Sequence, residues 1–416
     1  MNAIAIASAA RGRFSDWRRR SIWVDHLMLA IRIAVAALVI WGLAGGLAAG
    51  TYSAANFVSF AIFGLTIGSV YALIALGYTM VYGILRMINF AHGDVMMIGS
   101  FAGLFAAGAL NDAGLTADAP LIALPLVLAA GMAGGAAVSV AIEKIAYRPF
   151  LHVRSLAPLI CAIGLSFILQ YGARGLFGTR NRAYPGFGWM EGTVTILGMT
   201  IPIPQVVAFG SAVVVLAGLL ALVRYTALGK AMRAVSEDRD AAALVGIDVG
   251  RTIVFTFAIG GAMAGVAGVL YALVFKQITV FMGFFLGIKG FAAAILGGIG
   301  NLAGAMLGGL VLGLAEAMGP ALLLEGFGLP APYQLKDVIG YGMLVLILIF
   351  RPQGLLGERS RQRGPDAMSS FDIVTSSFRL GGPRRGAANE ALRGGLLAGL
   401  GAVGFALIGA YVAMDK

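Results

Sequence analysis

Stretches of about 20 apolar residues recur along this chain, and they constrain it more than any other feature. A backbone in hydrocarbon has no water to pair its amides and carbonyls, so such runs must be helices or the strands of a closed barrel. None of them alternates apolar with polar residues as a barrel strand does. The expected fold is all-α, a polytopic helical membrane bundle of about 9–11 transmembrane segments. Composition agrees: 59% of the 416 residues are hydrophobic, 12% are charged and 61 are glycine, a balance unlike that of a soluble core.

The runs fall near 28–50, 57–83, 92–110, 120–142, 157–177, 203–223, 252–274, 284–299, 301–319, 335–350 and 395–412. The run 284–299 is short and broken by glycines, which leaves spanning and re-entrant forms both open; 395–412 is glycine-rich and only just long enough. Four regions follow. Residues 1–56 are a basic N-terminal extension with an anchor helix, and 57–358 a membrane core. Residues 359–394 have the Arg, Ser, Gly and Pro content of a disordered cytoplasmic linker, and 395–416 hold the candidate last helix. The basic start resembles a leader, but the apolar run after it is too long for a signal-peptide core. The single cysteine, Cys161, sits in an apolar stretch, forms no intrachain disulfide and reads as packing.

Lys and Arg are retained on the cytoplasmic side. Arg11, Arg13, Arg18, Arg19 and Arg20 therefore put the N-terminus inside. Alternation then places the basic loops around Lys144–Arg154, Arg224–Arg251 and Arg351–Arg363 on the same side. Topology thus accounts for the net charge of +11, and because the basic residues track spans rather than form one patch, nucleic acid is not the expected partner. The loop 178–202 falls outside, and its Tyr184-Pro185-Gly186 and Pro202-Ile203-Pro204 predict turns with a short extended segment.

Polar residues inside this apolar frame are the candidate functional positions. Arg86, Asn89, His92, Gly93 and Asp94 interrupt two spans, and the turn Gly298-Ile299-Gly300-Asn301 interrupts two more. One reading is a pair of broken-helix sites whose backbone groups line a translocation path or gate it; the other, for the first, is a solvated turn with Asn89 and His92 capping helix ends. Lys289, Glu316 and Asp337 are intramembrane charges, and a charge at mid-bilayer costs roughly 2.5–3.5 kcal/mol on insertion scales. If the 298–301 turn joins antiparallel helices, Lys289 and Glu316 lie about 15–17 Å and about 20–23 Å from it and can pair; otherwise Lys289 snorkels to the surface. Glycine pairs at 64/68, 131/135, 261/265 and 304/308 predict close helix contacts.

In the loop GKAMRAVSEDRDAAALVGIDVGR, Ser236 followed by Glu237 and Asp238 reads as a helix start, continued by Arg239, Ala241, Ala242 and Leu244 and ended at Gly246. The expected element is a short helix at the membrane surface, either a connector or a docking element for another protein's groove.

The blocks GSVYALIALGYTMVYGILRMINFAHGDVMMIGS, RAVSEDRDAAALVGIDVGRTIVFTFAIGGAMAGVAGVL, GFFLGIKGFAAAILGGIGNLAGAMLGGLVLGLAEA and YQLKDVIGYGMLVLILIFRPQGLLG, in this order, resemble the branched-chain amino-acid ABC transporter permease family over about residues 57–358. The helix at 28–50 and everything beyond Glu358 fall outside the common pattern. The resemblance implies a non-catalytic permease subunit in the bacterial inner membrane. It would dock ABC ATPase subunits through residues 230–250, face a second homologous permease subunit across the path, and meet an external solute-binding protein at loops 178–202 and 320–334. ATP would be bound by the partner; Gly229-Lys230 is followed by Ala231 and belongs to no phosphate-binding loop. Neither a metal site nor a catalytic residue is expected in this chain. Import of urea or short amides is a sister reading. An ion-coupled secondary transporter using Lys289, Glu316 and Asp337, or a plain membrane anchor, would be readings of another class.

Overall fold

The computed structural model describes residues 3–150, 157–196, 199–329 and 332–357. In chain order the helices are α1 (Ala3–Ala49), α2 (Ala54–Leu85), α3 (His92–Asp112), α4 (Leu115–Asp118), α5 (Pro120–Ile142), α6 (Ala157–Phe177), α7 (Ile203–Tyr225), α8 (Ala227–Glu237), α9 (Arg239–Leu244), α10 (Val249–Phe275), α11 (Met282–Gly297), α12 (Leu302–Gly319) and α13 (Lys336–Phe350). Among the described residues, nine helical stretches are long and apolar enough to cross a bilayer. They are α1 from His26, α2, α3, α5, α6, α7, α10, α12 and α13, some with short helical turns appended. The chain is thus an all-α polytopic membrane bundle. The expected 284–299 segment is α11, a helix of 16 residues, about 24 Å long against a hydrocarbon core of about 30 Å. The expected linker 359–394 and the segment 395–412 lie outside the described residues.

Two compact units make up the chain. The smaller holds residues 1–53 and 319–335. In it, Gly42, Gly45 and Gly46 of α1 approach the backbone of residues 321–326 so closely that a Cβ on Gly45 would lie 3.0 Å from the Gly326 Cα. The stretch 320–334, expected as an outer loop, is instead largely helical: a π turn Pro320–Leu324, then 3-10 turns Glu325–Phe327 and Pro332–Leu335. With few polar residues, this stretch satisfies its own backbone groups as hydrocarbon requires.

Of the described residues, the larger unit holds those within 54–318 and 336–357. Its core is made where glycines let helices touch backbone to backbone, the contact that replaces hydrophobic drive in lipid. Gly131 and Gly135 of α5 meet Gly265 and Gly261 of α10. Gly64 and Gly68 of α2 meet α12, where added Cβ atoms would lie 2.9 Å from the Leu314 and Leu310 Cα atoms. Gly304 and Gly308 of α12 meet Gly297 and Ala293 of α11. The four predicted glycine pairs are therefore all helix contacts. α2 and α10 run antiparallel, with Phe63 against Phe275 at one end (centroids 6.3 Å apart) and Gly77 against Gly260 midway. By contrast α6 and α7 leave Ile160, Phe167, Ile168, Tyr171, Leu176 and Val214 exposed, an apolar surface for lipid or another membrane chain.

Two small strand pairs mark the end where α10 finishes. Arg182–Ala183 pairs antiparallel with Gln277–Ile278, and the hairpin Thr193–Ile196/Met199–Pro202 precedes α7. The extended segment expected in 178–202 is this hairpin. At the other end of α10, α8 and α9 lead into Val249.

Candidate functional site

The turn between α11 and α12 sets the first site. Gly298 and Gly300 take φ of 108° and 98°, a region open to glycine and strained for other residues. Asn301 then caps α12, its Oδ1 accepting from the Gly304 amide at 3.1 Å. The resulting antiparallel hairpin brings Lys289 to Glu316, with Nζ 3.0 Å from Oε2. Asp337, in the first turn of α13, joins at 2.7 Å through Oδ1. Tyr71 of α2 donates its hydroxyl to Glu316 Oε2 at 2.8 Å. Lys289 and Glu316 are only 6% and 5% exposed, so Lys289 does not snorkel outward. Taking two charges out of water is costly, and their attraction compensates only where further hydrogen bonds complete the geometry; Tyr71 and Asp337 supply them.

This cluster lines a cavity of about 240 Å³ together with apolar side chains of α2, α10 and α11, among them Ile67, Tyr271, Phe275 and Phe285. Tyr71, Tyr271, Lys336 and Gly340 belong to the site and carried no sequence signal strong enough to pick them out. Tyr71 alone left a trace, since a tyrosine within an apolar span must find a partner for its hydroxyl.

The interruption at 86–94 is exposed at Arg86, but its other polar residues are not solvated. Asn89, His92 and Asp94 are 2%, 0% and 1% exposed. Arg86 takes φ 56°, and α3 then begins inside the bundle, its His92 ring packed on Tyr78 (centroids 4.7 Å apart) and filling the space beside Gly77. Gly77 lies about 12 Å along α2 from its end, at 1.5 Å per residue. Asn89 Oδ1 accepts from the Ala91 amide at 3.1 Å, whereas His92 caps nothing and packs as an aromatic. Gly93 abuts Gly283 and Gly287 of α11. Asp94 accepts hydrogen bonds from Ser166 and Gln170 of α6, a pair one helical turn apart that sequence reasoning missed. An acidic side chain in the first turn of α3 is further favoured by the helix dipole.

At the other predicted interruption, part of the backbone is already occupied. The Leu355 and Leu356 amides donate to the Leu296 and Gly297 carbonyls at 2.8 and 3.0 Å, and Asn301 Nδ2 donates to the Leu356 carbonyl at 2.9 Å. Gly298 is pressed against Gln353, Gly354 and Gly357. These carbonyls are taken by the chain itself rather than left free for a solute.

The surface helix differs from expectation in its start. Ser236 and Glu237 end α8 rather than open a helix, and the Ser236 hydroxyl donates back to the Arg233 carbonyl at 2.8 Å. Asp238 is the cap: its Oδ1 accepts from the Asp240 and Ala241 amides at 2.9 and 3.0 Å. A carboxylate placed after Arg233-Ala234-Val235 outcompetes the hydroxyl because it carries full charge at the positive helix end. Gly246 ends α9 at φ 88°, as expected. Ala242 is buried, while Leu244 and Val245 are 88% and 76% exposed, a bare apolar tip. Arg239 reaches back to α2, its Nε and Nη2 donating to the Ile84 carbonyl at 3.1 and 2.5 Å. Burial, together with nearby Arg86, lowers the pKa of this guanidinium, and Arg86 itself donates to the Ser236 carbonyl at 3.4 Å.

Among the described residues, no group of three or more His, Cys, Asp or Glu side chains could hold a metal ion. A polytopic bundle with broken helices, a polar cavity at one end and an exposed surface helix at the other is the build of a membrane permease. The chain belongs to the family described as the permease component of branched-chain amino acid transport systems, which matches residues 60–348. It is 42% identical over 302 residues to the high-affinity branched-chain amino acid transport permease LivH of Salmonella typhimurium, covering 71% of this chain and 94% of the relative. It is 43% identical over 298 residues to BraD of Pseudomonas aeruginosa, with the same shares covered. A galactofuranose transporter permease of Escherichia coli, YtfT, is 27% identical over 305 residues, 70% of this chain and 80% of that protein. The matched family region leaves out α1.

Proposed function

We propose that this chain is the permease subunit of a binding-protein-dependent ABC importer in the bacterial inner membrane, N-terminus cytoplasmic, forming half of the path for branched-chain or other hydrophobic amino acids. The observation that carries this reading is the α8–α9 pair. Its tip, Leu244-Val245, is apolar and exposed, while Arg239 ties its base to the end of α2. A carrier acting alone has no use for such a surface; a groove on an ATPase subunit has. α2 is then the lever. Tyr71 lies about 20 Å along it from Ile84, at 1.5 Å per residue, so motion of α9 on nucleotide closure in the partner is transmitted to the helix that holds the Tyr71–Glu316 contact. A second homologous permease subunit would meet the apolar faces of this one, and a solute-binding protein would approach the end bearing the 178–202 hairpin. Alternating access follows from rocking the two permeases. Urea or short amides remain the sister substrate reading, since selectivity in such an assembly resides largely in the binding protein.

One observation favours an ion-coupled carrier instead, the buried Lys289–Glu316 pair with the half-exposed Asp337 beside it. Purification from native membranes in mild detergent separates the two. Co-purification of a phosphate-loop ATPase and a second permease, with the ATPase lost when residues 236–246 become a Gly/Ser linker, supports the importer. A chain that comes out alone, or only with itself, overturns it.

A further inference from the structure

We propose that residues 351–357 are the inner gate of this bundle, a strap that closes the cytoplasmic end of α11 and opens when α13, which carries it, tilts. The proposal rests on the importer reading for which side is cytoplasmic and for what passes, and on the following geometry for the gate itself.

α11 is too short to cross the membrane. Its 16 residues leave about 6 Å of a hydrocarbon core of about 30 Å unspanned, and its far end, residues 294–297, is buried. A helix leaves its last four carbonyls without partners of its own. Here the Gly298 amide donates to those of Ala294 and Ile295 at 3.0 and 3.1 Å, and the Leu355 and Leu356 amides donate to those of Leu296 and Gly297 at 2.8 and 3.0 Å. Half of the cap of α11 thus comes from a segment that lies beyond α12 and α13 in the chain. Asn301 Nδ2 fastens the same segment by donating to the Leu356 carbonyl at 2.9 Å.

The strap belongs to α13. The Gly354 amide donates to the Arg351 carbonyl at 2.8 Å and Arg351 Nη2 to the Leu355 carbonyl at 3.2 Å, so the strap is a turn folded on the end of that helix and moves with it. Between its ends α13 has a single buried residue, Gly340. It is pinned to α11 twice, by Asp337 to Lys289 at 2.7 Å near one end and by the strap at the other. A helix fixed at its ends and bare between them can tilt about one pin while the other lets go.

Release has a definite consequence. The carbonyls of Leu296, Gly297 and Leu356 lose their donors together, and inside a membrane such groups persist only where protein or water pairs them. The open arrangement is therefore wet, with the end of a broken helix facing a water-filled path. The strapped arrangement is the dry, closed one.

The test uses the full chain in nanodiscs, with the lone cysteine removed (Cys161→Ser) and one placed in the last turn of α11 (Ile295→Cys), and follows modification by a charged maleimide. Ile295 is 6% exposed, so the reaction is expected to be slow while the strap is in place. Asn301→Asp keeps the oxygen that caps α12 and loses the donor to Leu356; Leu355→Pro removes one amide of the strap and leaves α12 untouched. Each is expected to speed modification by about 10-fold, the effect of one lost hydrogen bond, together with faster amide exchange at Leu356. Faster exchange without faster modification makes the strap a structural clasp and overturns the gate. In the assembled transporter with the strap intact, trapping with a non-hydrolysable nucleotide should change the modification rate, and an unchanged rate overturns the gate as well. If leucine is imported and both variants leave the cysteine at 295 slow, the gate falls and the importer reading stands. If both variants expose it and no ATPase subunit co-purifies, the gate stands and the importer reading falls.

Discussion

Lys289 Nζ and Asp337 Oδ1 lie 2.7 Å apart although 48 positions separate them in sequence. The contact joins α11 to α13, and through Glu316 and Tyr71 the same ammonium group joins α12 and α2. One cation therefore ties four helices in a medium where apolar surface offers no preference among neighbours.

Removing Lys289 alone leaves Glu316 buried and unpaired. Lys289→Met is expected to lower the melting temperature of the full chain in detergent strongly, by the equivalent of about 3–5 kcal/mol, the cost typical of breaking a buried pair from one side. Lys289→Met combined with Glu316→Gln should recover part of that loss, because Asp337 has solvent access. A double variant as unstable as the single one, or more so, would show that the pair does not hold the helices together.

Gly340 of α13 faces Glu316, and a Cβ there would land on its carboxylate, whereas a Cβ on Gly342 meets nothing within 4 Å. Gly340→Ala should cost about 1–3 kcal/mol, as overpacking does, and Gly342→Ala should stay within about 0.5 kcal/mol. Thermal melts of the two variants side by side decide it; indistinguishable curves would remove Gly340 from the site.

The start of α9 is a third point. Asp238→Ala removes the cap and should destabilise α9 by about 1 kcal/mol, while Ser236→Ala should change little. Amide hydrogen exchange at Asp240 and Ala241 reports this directly. Faster exchange in the Ser236 variant than in the Asp238 variant would contradict the capping assignment.

Arg239 ties α9 to α2 through two donors on one carbonyl. Lysine cannot reproduce that fork, so on the proposed importer reading Arg239→Lys should lower solute uptake by the assembled transporter several-fold while the ATPase subunit still co-purifies. Uptake at the wild-type level, or loss of the ATPase itself, would mean that Arg239 does not act as the link.

Much of this fold was legible in the sequence, and for one reason. The number and rough limits of the membrane helices follow from the rule that every backbone group in hydrocarbon must be paired within its own segment. The positive φ at Gly246 and the turn at 298–301 were legible too, since helix ends and turns are local events. The Ser236 start was misread because serine and aspartate both cap helices, and only the course of α8 through Ser236 shows which one does.

The contacts that make the site were not legible. In water an amphipathic helix announces which face turns inward. In lipid both faces are apolar, so the rotation of each helix about its axis leaves no trace in hydropathy. The sequence by itself determined that the chain is a bundle of membrane helices, where the breaks fall, and that Lys289 and Glu316 require partners. Only the tertiary structure decided that Tyr71 and Asp337 complete their cluster, that Ser166 and Gln170 hold Asp94, and that Asn89, His92 and Asp94 of the polar break are buried rather than solvated, because those choices depend on which glycine faces meet and how each helix is turned when they do.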